Sequence, residues 1–413
     1  MPNDFETNLQ KYAELVIKVG VNIQPGQELA LRIPIDAAPL ARKLAIEAYK
    51  AGAKYVNVFY GDDEQTLIRY QYAPRDSFDY FPDWYADTML RFAKNGDAIL
   101  SVYASDPDLL KDQDPELISA ARKAAAQKMR PFSELLSKDY APWTVIAASV
   151  PGWANKVFAH LPEAERVPAL WDAIFKICRV DKPDPVAAWR EHTENLVRRS
   201  AYMNEKQYAA LKYTAPGTDL TVGLPENHVW MGGYGKTPSG NPFTANIPTE
   251  EIFTLPHKDR VNGTVRATLP LSLHGNLVED FWFRFEEGKV VEAHAAKGEE
   301  VLKKLLETDE GAVRLGEVAL VPQSSPIAQT GILFYNTLYD ENASCHLALG
   351  RAYRTSLKGG EDMSKEEFAA AGGNDSLIHV DFMMGSAEID IDGILPDGSL
   401  EPIFRQGEWA FEV

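Results

Sequence analysis

The segment Leu377–Gly385 places a histidine and an aspartate two residues apart in an otherwise apolar stretch. Side chains alternate between the two faces of a β-strand, so His379 and Asp381 would share one face while their apolar neighbours line the other. An imidazole nitrogen and a carboxylate oxygen at this spacing can converge on one metal ion. The segment alone leaves a second interpretation open, an edge strand with a polar outer face.

A second candidate pair, Glu341 and His346, precedes a short apolar segment that stops at Gly350. Taken alone, His346 is better explained as a structural histidine than as a ligand. Cys345 lies beside it, but adjacent residues of a helix or strand do not face each other, which argues against a Cys/His catalytic pair. The pair therefore points to a metal only in combination with other ligands.

Single carboxylates also interrupt two apolar stretches. Glu317 lies within Gly316–Pro322, where a buried charge needs a cation or hydrogen-bond donors. A structural salt bridge is the alternative to a metal ligand. Glu250–Thr254 shows the same pattern, and of its two glutamates only Glu251 would share a strand face with Phe253.

Together these positions form a set of two histidines and four carboxylates without thiolates. Such oxygen and nitrogen ligands suit zinc, cobalt, manganese or magnesium. Six ligands are too many for one tetrahedral catalytic zinc, but they fit two divalent metal ions that share a bridging carboxylate, an arrangement typical of hydrolases. The candidate ligands are Glu251, Glu317, Glu341, His346, His379 and Asp381.

Alternating helices and strands are predicted for the first half of the chain. Strands separated by helices indicate a parallel sheet covered on both faces. A helix-like stretch over 186–211 then leads into the second half. The predicted helices are 5–19, 37–51 and 115–128, and the predicted strands are 26–33, 55–60, 97–103 and 143–150.

The second half contains hairpin signals at Glu286–Lys289 and Pro396–Ser399, with a helix predicted over 299–307. The fold class is therefore mixed α/β and α+β. We expect an N-terminal α/β parallel-sheet domain over residues 1–195. A mostly antiparallel, β-rich catalytic and metal-binding domain would follow over residues 196–413.

Composition excludes several classes of partner. With 42 basic and 60 acidic residues the net charge is −18, which disfavours nucleic acid and anionic membrane surfaces. Two cysteines allow no disulfide framework and fit a reducing compartment. No signal peptide is evident, and no apolar run approaches the roughly 20 residues that a membrane span needs. A cytoplasmic location is the resulting expectation.

Four separated motifs then match a known family in order and spacing. They are Asn246–Thr254, Gly316-Glu317, Leu338–His346 and Ile378–Asp381. The chain resembles the thermophilic-type metallo-aminopeptidases, the family of aminopeptidases T, S and II, along its full length. The resemblance implies a homodimer that removes N-terminal residues from peptides by means of two metal ions. It also implies the six ligands named above, with Glu250 as an alternative to Glu251, and Tyr353 close by.

The expected mechanism uses a water activated by two metal ions, with Glu317 as the bridging ligand and Tyr353 stabilising the oxyanion. The residues leave open which carboxylate acts as general base. Two other functions also stay open at this point. One is a different two-metal hydrolase, such as a phosphoesterase, and the other is a non-enzymatic peptide-binding protein.

Overall fold

The computed structural model of the protein describes residues 2–273 and 276–413. The chain forms two compact units. The first consists of the chain up to Thr193 together with Tyr234–Pro248, and the second consists of Glu194–Gly233 and Thr249–Val413. The two units are compact, whereas a domain must also be able to fold alone. The domain boundary expected between residues 195 and 196 therefore stays a prediction.

A four-stranded parallel sheet forms the centre of the first unit, with the strand order β2-β1-β3-β4. The predicted strands are all present, and the parallel pairing confirms the expected α/β layer. A two-stranded ribbon, β8 and β9, also belongs to this unit. These strands are β1 (Glu28–Pro34), β2 (Tyr55–Gly61), β3 (Ala98–Tyr103), β4 (Trp143–Ala147), β8 (Gly235–Lys236) and β9 (Pro242–Phe243).

Helices connect the parallel strands, as the sequence predicts. The cap residues explain several helix ends: Asp62 accepts hydrogen bonds from the backbone of α3, and Asp114 does so for α5. The helix expected to end at Lys128 continues to Leu136, because Phe132 in its last turns packs into the core. The helices are α1 (Pro2–Leu15, followed by a π-turn over Val16–Gly20), α2 (Ala38–Lys50), α3 (Asp63–Tyr72), α4 (Asp83–Asn95), α5 (Pro115–Leu136), α6 (Pro151–Val157), α7 (Glu163–Ile177) and α8 (Pro185–Lys206).

The second unit is built mainly from antiparallel strands. A nine-stranded sheet has the order β12-β13-β11-β6-β5-β18-β19-β20, with β14 paired to β13. Both predicted hairpins are present, β13–β14 and β18–β19. The strands of this sheet are β5 (Ala210–Ala215), β6 (Thr218–Gly223), β11 (Val261–Arg266), β12 (Leu271–Leu273), β13 (Asn276–Glu286), β14 (Lys289–Lys297), β18 (Asp390–Ile394), β19 (Leu400–Arg405) and β20 (Glu408–Trp409).

The helix predicted over 186–211 ends earlier than expected, because α8 stops at Lys206 and the chain continues as β5. Alternate residues of β5 point inwards, and Leu211 and Tyr213 are buried in the core of the second unit. Among the residues that the structure describes, this unit also contains the short α-helices α9 (Glu299–Leu306), α10 (Thr337–Asp340) and α11 (Lys365–Ala370).

A second, five-stranded antiparallel sheet carries four of the six candidate ligands, Glu317, His346, His379 and Asp381. Its order is β17-β16-β15-β10-β7. One face packs into the apolar core, where Val318, Leu347 and Phe382 are buried. The opposite face is therefore available for polar side chains. The strands are β7 (Met231–Gly232), β10 (Ile252–Thr254), β15 (Leu315–Leu320), β16 (His346–Gly350) and β17 (His379–Met383).

Candidate metal centre

The register of the five-stranded sheet brings four of the predicted ligands to one face. Glu317 of β15 pairs with Ala348 of β16, which pairs in turn with Asp381 of β17. Directly paired residues of antiparallel strands point to the same side, so both carboxylates lie above the small Ala348 side chain. His346 and His379 share this face because each lies two residues from a member of that row.

A β-bulge at Gly316 is what turns Glu317 towards this face. In a regular strand Glu317 would share a side with Leu315, which is buried in the core. The pairing shifts by one residue between Leu315 and Glu317 and so reverses the alternation. Gly316 has no room for a side chain, because a Cβ atom there would lie 2.3 Å from the Gly350 carbonyl oxygen. The bulge therefore depends on glycine.

Two groups of ligand atoms result. In the first, His346 Nε2 lies 3.1 Å from Glu251 Oε2 and 3.5 Å from Glu317 Oε1. In the second, His379 Nε2 lies 3.4 Å from Asp381 Oδ1 and 3.7 Å from Glu317 Oε2. Within each group the atoms lie within 4.8 Å of one another. Glu317 belongs to both groups and turns a different oxygen towards each.

Hydrogen bonds orient both histidines. The Nδ1 atom of His346 lies 3.2 Å from the Ser344 carbonyl oxygen, and that of His379 lies 2.7 Å from the Arg351 carbonyl oxygen. A carbonyl oxygen can only accept, so Nδ1 carries the hydrogen in each ring. In the neutral imidazole, Nε2 then carries a lone pair that points at the carboxylates. A metal-binding histidine has the same arrangement.

Two of the carboxylates that face these histidines have an oxygen without a hydrogen-bond partner among the described residues. Glu251 Oε2 and Asp381 Oδ1 are buried and make no hydrogen bond to any part of the chain that the structure describes. Each nevertheless faces a histidine Nε2 atom. When the imidazole is neutral, two acceptors face each other and a cation is needed between them. In the metal-free cluster this cation is a proton, and a divalent metal ion can take its place, so the residues fit divalent metal ions.

Glu341 lies beside these groups but belongs to neither. It opens the short 3-10 turn Glu341–Ala343 that follows α10. Burial, together with the nearby carboxylates of Glu251 and Asp381, raises the pKa of Glu341 well above its usual range. The structure therefore brings five of the six predicted ligands into two groups. The sixth, Glu341, interacts electrostatically with the charged groups of both.

The charges of the metal-free cluster favour bound protons. Burial alone would lower the pKa of His379, but the Asp381 and Glu317 carboxylates outweigh burial and raise this pKa to about 9. Burial opposes protonation of His346 in the same way, yet Glu251 and Glu317 raise the pKa of His346 well above its usual range. Without a metal ion, both imidazoles therefore carry a proton at neutral pH.

Divalent cation binding should consequently release protons and tighten as the pH rises from about 6 to about 8, since the pKa of His379 is raised to about 9 and the pKa of His346 is raised as well. For each proton that is released on binding, the metal affinity should rise about tenfold per pH unit. Calorimetric titration with Zn²⁺ in buffers of different ionisation enthalpy counts the protons. An affinity that does not change with pH would contradict this charge assignment.

Tyr353 lies at the rim of the centre. Its ring centroid is 4.9 Å from that of His379 and 6.0 Å from that of Phe253. Although 39 % of the residue is exposed, burial of its hydroxyl and the nearby Glu317 and Asp381 carboxylates raise the pKa of Tyr353 well above its usual range. The hydroxyl therefore keeps its hydrogen and can act as a donor.

Several residues that support the centre were not anticipated from the sequence. Asn342 accepts a hydrogen bond from the Glu250 backbone, and the carbonyl groups of Ser344 and Arg351 hold the histidine rings. A backbone carbonyl has no sequence signature. The position of Asn342 between the candidate ligands Glu341 and His346 is the one signal that the sequence offered.

Comparison with known proteins places the chain in a family. A model described as thermophilic metalloprotease (M29) matches residues 5–409. Aminopeptidase 2 of Geobacillus stearothermophilus is 52 % identical over 411 residues, which cover 100 % of both proteins. Aminopeptidase T of Thermus thermophilus is 48 % identical over 406 residues, which cover 98 % of this chain and 99 % of that protein.

A solved structure agrees with these sequence matches. Wild-type AmpT from Thermus thermophilus has a TM-score of 0.93 and 47 % identity to this chain, covering 98 % of it and 100 % of the solved chain. This similarity confirms the mixed fold class expected from the sequence. Since the family model spans nearly the whole chain and full-length relatives are about half identical to it, the protein belongs to the thermophilic metalloprotease (M29) family.

Proposed function

We propose that this protein is an aminopeptidase that removes N-terminal residues from peptides by means of two divalent metal ions. The peptidase activity and its dependence on metal follow from the family. Restriction to the N-terminus follows from the relatives, which are named aminopeptidases. Two ions are supported by a single observation, the position of Glu317 between two groups of ligand atoms.

The residues proposed to hold the ions are Glu251, Glu317, Glu341, His346, His379 and Asp381, with Glu317 shared. Oxygen and imidazole ligands without thiolates suit zinc, cobalt, manganese or magnesium. When bound, a pair of such ions lowers the pKa of a water molecule and polarises a carbonyl group. We choose Glu251 over Glu250 because its carboxylate faces His346.

The chain's own groups have distinct roles in this proposal. The four carboxylates supply the negative charge that two divalent ions would balance. The carbonyl groups behind His346 and His379 hold each imidazole in the tautomer that leaves Nε2 free. The Tyr353 hydroxyl stays protonated and donates to the oxyanion that forms at the scissile carbonyl.

Replacing Tyr353 with phenylalanine should lower kcat by about a hundredfold, since one oxyanion donor is worth this much. The bound metal and KM should stay nearly unchanged, because no ligand is removed. Steady-state kinetics on leucine p-nitroanilide and elemental analysis provide both readouts.

Tyr213→Phe is the matched control for this substitution. The Tyr213 hydroxyl is buried in the same unit and makes no hydrogen bond to the described residues. Its loss should leave kcat unchanged. If Tyr353→Phe retained full kcat, the proposed donor role would be wrong.

The choice between peptidase and phosphoesterase chemistry is tested with substrates. The metal-loaded protein should hydrolyse leucine p-nitroanilide and free peptides, leave N-acetylated peptides intact, and leave p-nitrophenyl phosphate unchanged. Hydrolysis of the phosphate ester alone would favour the phosphoesterase alternative. Hydrolysis of neither, with tight peptide binding, would favour the non-enzymatic alternative.

A homodimer in the cytoplasm completes the proposal, on the basis of the resemblance and the composition. Among the helices of the described residues, none is long and apolar enough to cross a membrane. Analytical ultracentrifugation tests the assembly, where a single species of twice the chain mass is expected.

A further inference from the structure

Asn342 is a fully buried polar residue within the 3-10 turn Glu341–Ala343. Its Oδ1 atom accepts a hydrogen bond from the Glu250 backbone N–H at 2.7 Å. Its Nδ2 atom donates to the Leu338 carbonyl oxygen at 3.1 Å and to Glu341 Oε1 at 3.4 Å. Every polar atom of this amide group therefore has a partner.

These contacts join two segments that are far apart in the sequence. The Glu250 backbone immediately precedes Glu251, the ligand candidate beside His346. Glu341 is the carboxylate of the 3-10 turn that lies outside both groups of ligand atoms. One side chain thus fixes the start of β10 against the turn that carries Glu341.

The second group of ligand atoms is held without this amide. β17 pairs with β16 along its length, and the His379 ring bonds to the Arg351 carbonyl oxygen. Asp381 shares the strand with His379. A change at residue 342 should therefore disturb the two groups unequally.

We propose that Asn342 is a positioning residue that holds the Glu251 and Glu341 carboxylates in the orientation needed to bind one of the two metal ions. It has no such role for the other ion. This inference rests on the two-ion centre proposed above. Partners that orient ligands typically change metal affinity by about 10- to 100-fold when they are removed. The ion held with Glu251 should weaken by this factor, while the ion held by His379 and Asp381 should bind as before.

The test is a competition titration of the metal-free full-length protein with Zn²⁺ and a chromophoric chelator. Asn342→Ala is expected to weaken one of two binding steps at least tenfold and to leave the other within about twofold. Asn204→Ala is the matched control. Asn204 bonds both backbone groups of Trp230, at 2.8 Å and 2.9 Å, and touches no proposed ligand. It should lower thermal stability without changing either step.

Circular dichroism at the titration temperature shows whether each variant is folded. If Asn342→Ala is unfolded there, Asn342→Ser leaves a hydroxyl for one buried group, and the same unequal loss is expected. Unchanged binding, or equal weakening of both steps, would overturn the inference. A wild-type protein that binds fewer than two ions would instead count against the proposed function.

Discussion

Replacing Glu317 with glutamine should lower kcat/KM for leucine p-nitroanilide by at least about a thousandfold. Glu317 is the one described carboxylate that belongs to both groups of ligand atoms, with a separate oxygen turned towards each histidine. Glutamine has nearly the same shape but offers a single neutral oxygen. It cannot bridge two ions, so both should bind more weakly and the activity should fall with them.

Glu250→Gln is the matched control, because Glu250 is also buried and adjacent to a proposed ligand but belongs to neither group. It should retain most of the activity, whereas Glu251→Gln should lose it. Full activity in Glu317→Gln, with two ions bound, would contradict the bridging assignment. Loss of activity in Glu250→Gln but not in Glu251→Gln would show that Glu250, rather than Glu251, is the ligand.

Removal of divalent ions should abolish activity and lower the thermal stability of the protein. Four carboxylates carry four negative charges, which two divalent ions would balance. Without the ions these charges repel one another in a buried site, apart from what protons neutralise. Loss of an ion present at a thousand times its dissociation constant alone removes about 4 kcal/mol of stability. Chelation followed by gel filtration, kinetic assay and thermal unfolding measures both effects.

The control for chelation uses chelator already saturated with metal, which should have no effect. Activity should return on addition of Zn²⁺, Co²⁺ or Mn²⁺, and the relative recovery identifies the preferred ion. Full activity in protein shown to contain no metal would contradict the mechanism. A loss of activity that no ion restores would indicate damage rather than metal removal.

Local pattern predicted the strand that carries His379 and Asp381, because alternation along one strand depends only on neighbouring residues. The same reasoning located both hairpins and the helices α1, α2, α5, α8 and α9. It did not locate α3, α4, α6, α7, α10 or α11. It could not predict which strands lie side by side. The insertion of β15 between β10 and β16 is set by pairing between distant parts of the chain.

The orientation of Glu317 shows a second limit. Its face depends on the bulge at Gly316, and a regular strand would have pointed Glu317 into the core beside Leu315. A single glycine in a sequence does not distinguish a bulge from a turn. Similarly, the return of Tyr234–Pro248 to the first unit is set by long-range packing that no local motif encodes.

The number of metal ions per chain tests the two-ion centre most directly. Metal-free protein is titrated with Zn²⁺ while elemental analysis gives bound metal and the hydrolysis of leucine p-nitroanilide is followed in parallel. The ligand geometry predicts about two ions per chain, with activity reaching its plateau only as the second ion binds. Saturation at one ion per chain, with full activity at that point, would contradict the shared role of Glu317.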